Sequence, residues 1–413
     1  MSLYLDSNAT TRVHPRVIEA MMPYLTESWH NPSSGYAAAR VVREAIETAR
    51  GQVAALIGAK PSEIVFTGCG TESNNMAIKS LAREIGRTRG KVVVSGIEHS
   101  AVLRPVEAMG AVGFEVEKCG VGGEGRLDLD AFRPALDPSR PGFASVMWAN
   151  NETGVVQPMA EVCEVARAAG WFVHTDAIQA VGKVPVRVDE VPVDFLSLSG
   201  HKFHGPKGGG ALFIRRGTPF EPMVRGGGEE GGRRGGVENV AAIVGLGKAA
   251  ALASEALSAG ALDRVRGLRD RFEAGLQTGL GGAPDPVWWN GSRGHRTPTV
   301  AHLSIAGVRS EDLVRALDEA GIECGGCGLE AARKGRVCHA LVAMGCSGDR
   351  LLGGVRFSLS VFTNADEIDE AVERVVATVR RLRTGVPRSG AQAGEGAEQV
   401  VVGNGVGNEG VSE

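Results

Sequence analysis

Lys202 stands in the loop Ser199-Gly200-His201-Lys202-Phe203-His204-Gly205-Pro206-Lys207-Gly208-Gly209-Gly210, between two apolar runs, 193–198 and 211–214, that read as buried strands. A lysine at a strand end can attack a carbonyl when its ammonium is partly desolvated or lies near other cations, since either effect favours the neutral amine. A solvated basic turn is the plain alternative. The loop is not a Walker A site, which needs Ser or Thr after its lysine; here Phe203 follows Lys202 and Gly208 follows Lys207. Other polar side chains end apolar runs in the same way. His99 follows 91–95, Asn151 follows 143–149, and Asp176 follows 171–175 with Gln179 one helical turn later. Alone, Asp176 reads as a helix cap and His99 as a hydrogen-bonded structural histidine.

The elements that must position these groups alternate along the chain. Residues 16–22 and 35–57 have helical spacing, with Asn31-Pro32-Ser33-Ser34 as turn and cap between them. A strand at 63–67 feeds Gly68-Cys69-Gly70-Thr71-Glu72-Ser73, which opens a helix through Leu81. Such a helix start offers free N–H groups and the positive dipole end to an anion such as phosphate. Gly120-Val121-Gly122-Gly123-Glu124-Gly125 matches G-x-G-x-x-G but opens no helix directly, so it reads as a loop. Repetition of strand, polar end and helix implies an α/β fold with a largely parallel sheet, gathering His99, Asn151, Asp176, Gln179 and Lys202 on one side.

Beyond the Gly-rich run 226–236, helical stretches at 240–257 and 262–276 mark a change of organisation. A strand at 300–305, a helix at 310–320 capped by Ser310, a strand at 355–359 and a last helix at 367–382 form a smaller α+β domain. The expected division is an N-terminal segment (1–15) packing with the small domain, a large domain (16–258), a small C-terminal domain (259–384) and a disordered tail (385–413).

The totals agree with this reading. Of 413 residues, 43% are hydrophobic and 23% charged, enough for a large core in a soluble protein. A net charge of −3 with scattered Lys and Arg asks for no direct nucleic-acid or membrane partner. No basic n-region opens the chain and no apolar run reaches roughly 18 residues, so a cytoplasmic protein is expected. Seven cysteines, an odd number thinly spread, suggest free thiols.

An imine-forming lysine, an aspartate after an upstream strand, an anion-binding helix start and a histidine at a third strand end are the parts a pyridoxal-phosphate site requires. The aspartate keeps the pyridine nitrogen protonated, the helix start holds the phosphate, and a flat side chain covers the ring. Together the motifs resemble the cysteine desulfurase family, within the class V aminotransferase group of fold-type I pyridoxal-phosphate enzymes. The resemblance runs from Tyr4-Leu5-Asp6-Ser7-Asn8-Ala9-Thr10-Thr11 to about Leu382. It rests on Asn31-Pro32-Ser33-Ser34, Thr71-Glu72-Ser73-Asn74-Asn75, Glu98-His99, Asn150-Asn151-Glu152-Thr153-Gly154-Val155-Val156-Gln157-Pro158, Asp176-Ala177-Ile178-Gln179, Ser199-Gly200-His201-Lys202 and Arg356-Phe357-Ser358-Leu359.

That resemblance implies a homodimer with pyridoxal 5'-phosphate as cofactor, L-cysteine as substrate and a sulfur-acceptor protein as partner. It implies Lys202 as the residue bonded to the cofactor, Asp176 at the pyridine nitrogen and Gln179 at the ring hydroxyl. Gly70, Thr71, Ser199 and His201 would hold the phosphate. His99 would stack on the ring and assist proton transfers, Asn151 would contact cofactor or substrate, and Arg356 would clamp the substrate carboxylate by a two-pronged hydrogen bond.

The chain departs from the family at two places. A nucleophilic cysteine is usual on the loop before the Arg-Phe-Ser strand; with His339 and Met344-Gly345 in register, Glu330 stands there. Cys327 and Cys324 lie three and six residues upstream. Three extended residues span about 10 Å, so Cys327, the nucleophile of choice, needs a refolded loop or a moved small domain. Gly325-Gly326 and Gly328 are expected to supply that mobility. The second departure is Val237, where a threonine usually reaches the phosphate of the neighbouring subunit. Cys324, Cys327, Cys338 and Cys346 match no common zinc spacing, so no metal is expected; a reactive Cys327 and inert buried cysteines both stay open.

The implied reaction converts L-cysteine to L-alanine and hands on the sulfur as a protein persulfide. Without the usual cysteine, a lyase, aminotransferase or epimerase acting on another amino acid is the alternative, told apart by looking for alanine and sulfide from cysteine. A silent scaffold for sulfur-transfer partners is a further alternative, opposed by the presence of Lys202, Asp176 and Arg356. The sulfur's destination stays open among iron–sulfur clusters, thiolated tRNA, modified DNA and a metabolite.

Overall fold

Period-two alternation decides which face of the larger sheet each side chain covers. In a computed structural model, which describes residues 2–86, 90–281, 286–326 and 338–385, seven strands lie in the order Ile64–Thr67, Gly210–Ile214, Phe195–Ser199, Phe172–Asp176, Gly142–Ser145, Lys91–Ser95, Glu115–Cys119. Gly210–Ile214 is antiparallel to both its neighbours, and the remaining pairs are parallel. Val93, Ala144, Val173, Leu196 and Phe213 face one core, shared with helices Ala37–Ile57, Met159–Ala168 and Val240–Ser258. Val92, Val94, Phe143, Phe195 and Leu212 face another, under Gly70–Ile85 and Ser100–Ala111. Burial on both faces is why these strands read as unbroken apolar runs.

Val240–Ser258 is long and apolar enough to cross a membrane by length and composition, yet it is a core helix here. It packs on Ala37–Ile57 closely enough that a Cβ at Gly247 would lie 2.5 Å from the Ala49 Cα. Glycine there lets the two backbones approach.

A second sheet has the order Leu3–Leu5, Ile322–Gly326, Gly354–Ser358, Val300–Ile305, Val287–Trp289, with only the first pair parallel. Leu3, Leu5, Phe272, Leu313, Phe357 and Val375 share its core, the helical members coming from Ala261–Leu280, Ser310–Glu319 and Ala365–Gly385. The chain's start is thereby fixed on a sheet built by its end, and residues 6–11 cross to the other sheet. Ser7 N donates to Ser358 O at 3.1 Å, and Thr11 N donates to His201 O at 2.9 Å.

Three local expectations are corrected. The strand expected at 143–149 ends at Ser145, because the Glu98 carboxylate oxygen takes the Met147 N–H at 2.6 Å and draws it from the ladder. Ser310 is the first residue of its helix and Arg309 the cap; its hydroxyl donates instead to Gly354 O at 2.6 Å. Gly325 and Gly326 lie in a paired strand rather than a free loop. The expected tail, from 386 onward, lies outside the described residues.

Candidate active site

Five parallel strands of the large sheet end on one side, and each delivers a side chain or helix start there. Gly70, Thr71, His99, Asn151, Asp176, Gln179, Ser199, His201, Lys202 and Arg356 all line one cavity of about 390 Å³. Every described residue expected at the site is therefore in it. Cys327 and the Glu330 position lie outside the described residues.

Lys202 ends a short 3-10 turn, Gly200–Lys202, that follows its strand directly. Its Nζ donates to the carbonyls of Asn8 at 2.6 Å and Ala9 at 2.9 Å, both from the segment crossing between the sheets. Burial, then the Arg356 guanidinium, push the Lys202 amine down to about 8. An amine so placed is partly neutral near physiological pH, as nucleophilic attack on a carbonyl needs.

Asp176 closes its strand as a buried residue. Its Oδ2 accepts from Asn74 Nδ2 at 2.8 Å and its Oδ1 from Ile178 N at 3.0 Å. Burial pushes its carboxyl up while the Asn74 hydrogen bond holds it down. His99 caps the helix Ser100–Ala111: its Nδ1 accepts from Ala101 N at 3.1 Å. A ring nitrogen that accepts from an amide carries no proton, so neutral His99 holds its proton on Nε2. Burial lowers its proton affinity further, which favours that neutral form. His201 is likewise neutral, burial taking it down to about 4.

Beneath His99, Glu98 is fully buried, and burial raises its carboxyl from 4.5 to about 8. Its Oε1 accepts from Ser95 Oγ and Met147 N, while its Oε2 has no partner among the described residues. A raised folded-state value means that the folded protein keeps the proton which the unfolded chain gives up. Stability from this group is therefore fully present below about pH 4.5 and lost as pH rises toward 8, a swing on the order of a few kcal/mol. Glu98→Gln should remove that slope: relative to the unaltered protein, its melting temperature should gain between pH 5 and pH 8. A constant difference across that range would contradict a protonated Glu98.

Arg356 is already engaged. Its Nη2 donates to Asp6 Oδ1 at 2.7 Å, its Nη1 donates to Glu152 Oε2 at 3.2 Å and to Asn151 O at 3.1 Å, and its buried Nε has no partner among the described residues. Gly325 makes room for it, since a Cβ there would sit 2.6 Å from Arg356 Nη2. That packing, rather than mobility, accounts for one glycine of the Gly325-Gly326 pair. Cys324, one residue earlier, is buried in the same strand, and burial pushes its thiol up to about 12. So protonated a thiol is a poor nucleophile. Cys69, in contrast, is exposed and lines the cavity.

Asn8, Asp6, Asn74, Glu98, Glu152, Lys183 and Cys69 were not singled out from the sequence for these positions. Asn74 had a usable signal: it follows Gly70 by one helical turn, on the face that the helix start turns toward the cavity. Lys183 follows Gln179 by four residues within one run of turns. Asp6 and Asn8 had none, because their place depends on a strand pairing with residues 322–324.

The match to the class-V aminotransferase family model covers residues 3–371. A cysteine desulfurase of Sinorhizobium fredii is 43% identical over 387 residues, 93% of this chain and 98% of that one. Among solved structures, a NifS-like protein superposes with a TM-score of 0.86 at 33% identity, covering 92% of this chain and all (100%) of that one. SspA in complex with cysteine gives 0.75 at 31% identity, covering 88% of this chain and 100% of that one. Fold, site geometry and likeness over nearly the whole chain agree: the protein belongs to the class-V aminotransferase family of fold-type I, among the cysteine desulfurases.

Proposed function

We propose that the protein is a pyridoxal-phosphate-dependent cysteine desulfurase, which takes L-cysteine to L-alanine and delivers the sulfur as a persulfide to an acceptor protein. The observation that carries this reading is the meeting of a lysine amine lowered to about 8, a buried aspartate and a buried arginine in one cavity. The residues present fit the cofactor. Ser199 Oγ and Asn151 Oδ1 are buried at the cavity wall without a partner among the described residues. The helix start at Gly70 has no side-chain cap, and a Cβ at Gly70 would lie 2.1 Å from Ile178 Cδ1, so only glycine brings that helix end so near the Asp176 turn. Gly70, Thr71, Ser199 and His201 would hold the phosphate, and Asp176 the proton on the pyridine nitrogen. His99 would cover the ring.

When bound, pyridoxal phosphate supplies an electron-accepting ring that stabilises negative charge on substrate carbons. Lys202 would hold the cofactor through its amine and, when that amine is free, would take or give a proton; His99 would present a proton at Nε2. Arg356 binds the substrate carboxylate. A loop thiolate, assigned to Cys327, attacks the substrate sulfur: the S–S bond forms as the C–S bond breaks, and a proton replaces sulfur on the substrate carbon.

Arg356→Ala should raise KM on the order of 30-fold or more, and it should also lower the melting temperature, because Asp6 and Glu152 lose their partner. Unaltered cysteine binding with chemistry stopped would give Arg356 another role.

The reading includes a homodimer, supported by large apolar side chains left exposed near the N-terminus, among them Leu25 and Trp29, the latter 71% exposed. Val237 is 62% exposed, which suits a position facing a second subunit. Among the described residues five cysteines are free and Cys338 is disulfide-bonded, so the expected free thiols hold for all but Cys338; the reading also includes a cytoplasmic location and a division into segment 1–15, domains 16–258 and 259–384, and a tail. Production of alanine and sulfur from L-cysteine by the purified protein tests the whole; inertness toward cysteine with turnover of another amino acid would replace it.

A further inference from the structure

Lys183 is a buried lysine on no strand or helix, and the reaction outlined above leaves it without a task. No carboxylate pairs with it among the described residues. Its Nζ donates to Asn8 Oδ1 at 2.8 Å and to Gln179 Oε1. Gln179 Nε2 in turn donates to Asn8 O at 2.9 Å, the same carbonyl that accepts from Lys202 Nζ at 2.6 Å. Asn8 thus ties both lysines and Gln179 into one network. It is itself fixed on both sides, by its N–H to Ser358 Oγ at 2.9 Å and its Nδ2 to Asn151 O at 3.0 Å.

The network settles which way the Gln179 amide faces. A backbone carbonyl only accepts, so the atom against Asn8 O is the nitrogen, which leaves the amide oxygen to accept from the Lys183 amine. Gln179 lines the cavity, and one of its two amide hydrogens goes to Asn8 O, which leaves the second to a ligand. Without Lys183 only Asn8 O would oppose the flipped arrangement, in which oxygen would face an oxygen acceptor of the ligand.

We propose that Lys183 is a positioning residue of the cofactor pocket: it locks the Gln179 amide so that an N–H donor, not an oxygen, meets the ring oxygen of bound pyridoxal phosphate. The inference rests on the proposed function. Burial and the nearby charges of Lys202 and Arg356 hold the Lys183 amine well below its ordinary value, so the fold accepts the cost of burying it for the contacts it makes.

Lys183→Met keeps the length of the side chain and removes both donors. Its affinity for pyridoxal phosphate, titrated by absorbance, should fall about tenfold, the effect of one buried hydrogen bond, and the visible band of the bound cofactor should shift. Lys183→Gln keeps one donor toward Gln179 and should recover most of the affinity; it also carries the test should the methionine variant not accumulate as folded protein, since a tenfold loss in it overturns the proposal. Unchanged affinity and spectrum in Lys183→Met would overturn the role of Lys183 while leaving the proposed function intact. Failure of the unaltered protein to take up pyridoxal phosphate would overturn both.

Discussion

Lys202→Ala is expected to yield a folded protein that lacks the visible absorption of lysine-bound cofactor and turns over cysteine roughly four orders of magnitude more slowly, or not at all. The reason lies in the position of the amine. Its Nζ is held by two carbonyls of the crossing segment, 2.6 and 2.9 Å away, over the cavity that Asp176 and Arg356 also line. Among the described residues, Lys183 is the other lysine nearby, but its Nζ is committed to Asn8 and Gln179 and it does not line that cavity. It cannot replace Lys202 without breaking that network. Stability should change little, because Asn8 O still accepts from Gln179 Nε2 and alanine removes one further donor, that to the Ala9 carbonyl. Full activity in this variant would remove the basis of the mechanism.

Asp176→Asn should fold and bind cofactor yet lose two or more orders of magnitude in turnover, since a neutral amide cannot stabilise a protonated pyridine nitrogen as a carboxylate does. The structure adds a reason for the fold to tolerate it. Burial already drives the Asp176 carboxyl toward its neutral form, so an amide of the same shape relieves a desolvation cost. One acceptor remains for Ile178 N or Asn74 Nδ2, and the other contact is weakened. Absorbance at saturating cofactor together with single-turnover rates separates the two effects. An unchanged rate would contradict the placement of Asp176 at the ring nitrogen.

The large sheet was legible because its strands are buried on both faces and end in polar residues. Lys91–Ser95 and Val300–Ile305 have the bounds expected from their apolar runs, and the turn residues after them mark the site. Glu115–Cys119 escaped notice because it is an edge strand whose charged side chains face solvent and bond Lys91; it has no apolar run to announce it. Leu3–Leu5 and Ile322–Gly326 are short, and their pairing joins opposite ends of the chain, which no local pattern encodes. The same long-range pairing hid Asp6 and Asn8, though both sit in the cavity region as partners of Arg356 and Lys202. At the site, residue types at strand ends were readable, whereas the partners that orient them come from other segments: Asn74 for Asp176 and Glu152 for Arg356.

The identity of the sulfur-accepting thiol is the point on which the proposed reaction turns. Cys119, Cys163 and Cys324 are buried, their thiols pushed up by burial to about 11, 12 and 12, and none of them lines the cavity. The direct measurement is to incubate the holoenzyme with L-cysteine, quantify alanine, and map protein-bound persulfide by mass spectrometry, in the unaltered protein and in Cys327→Ser. Alanine with persulfide on Cys327, and loss of both in Cys327→Ser despite retained cofactor and cysteine binding, is the expected result. Persulfide on Cys119 or Cys163, or undiminished alanine production by Cys327→Ser, would contradict it.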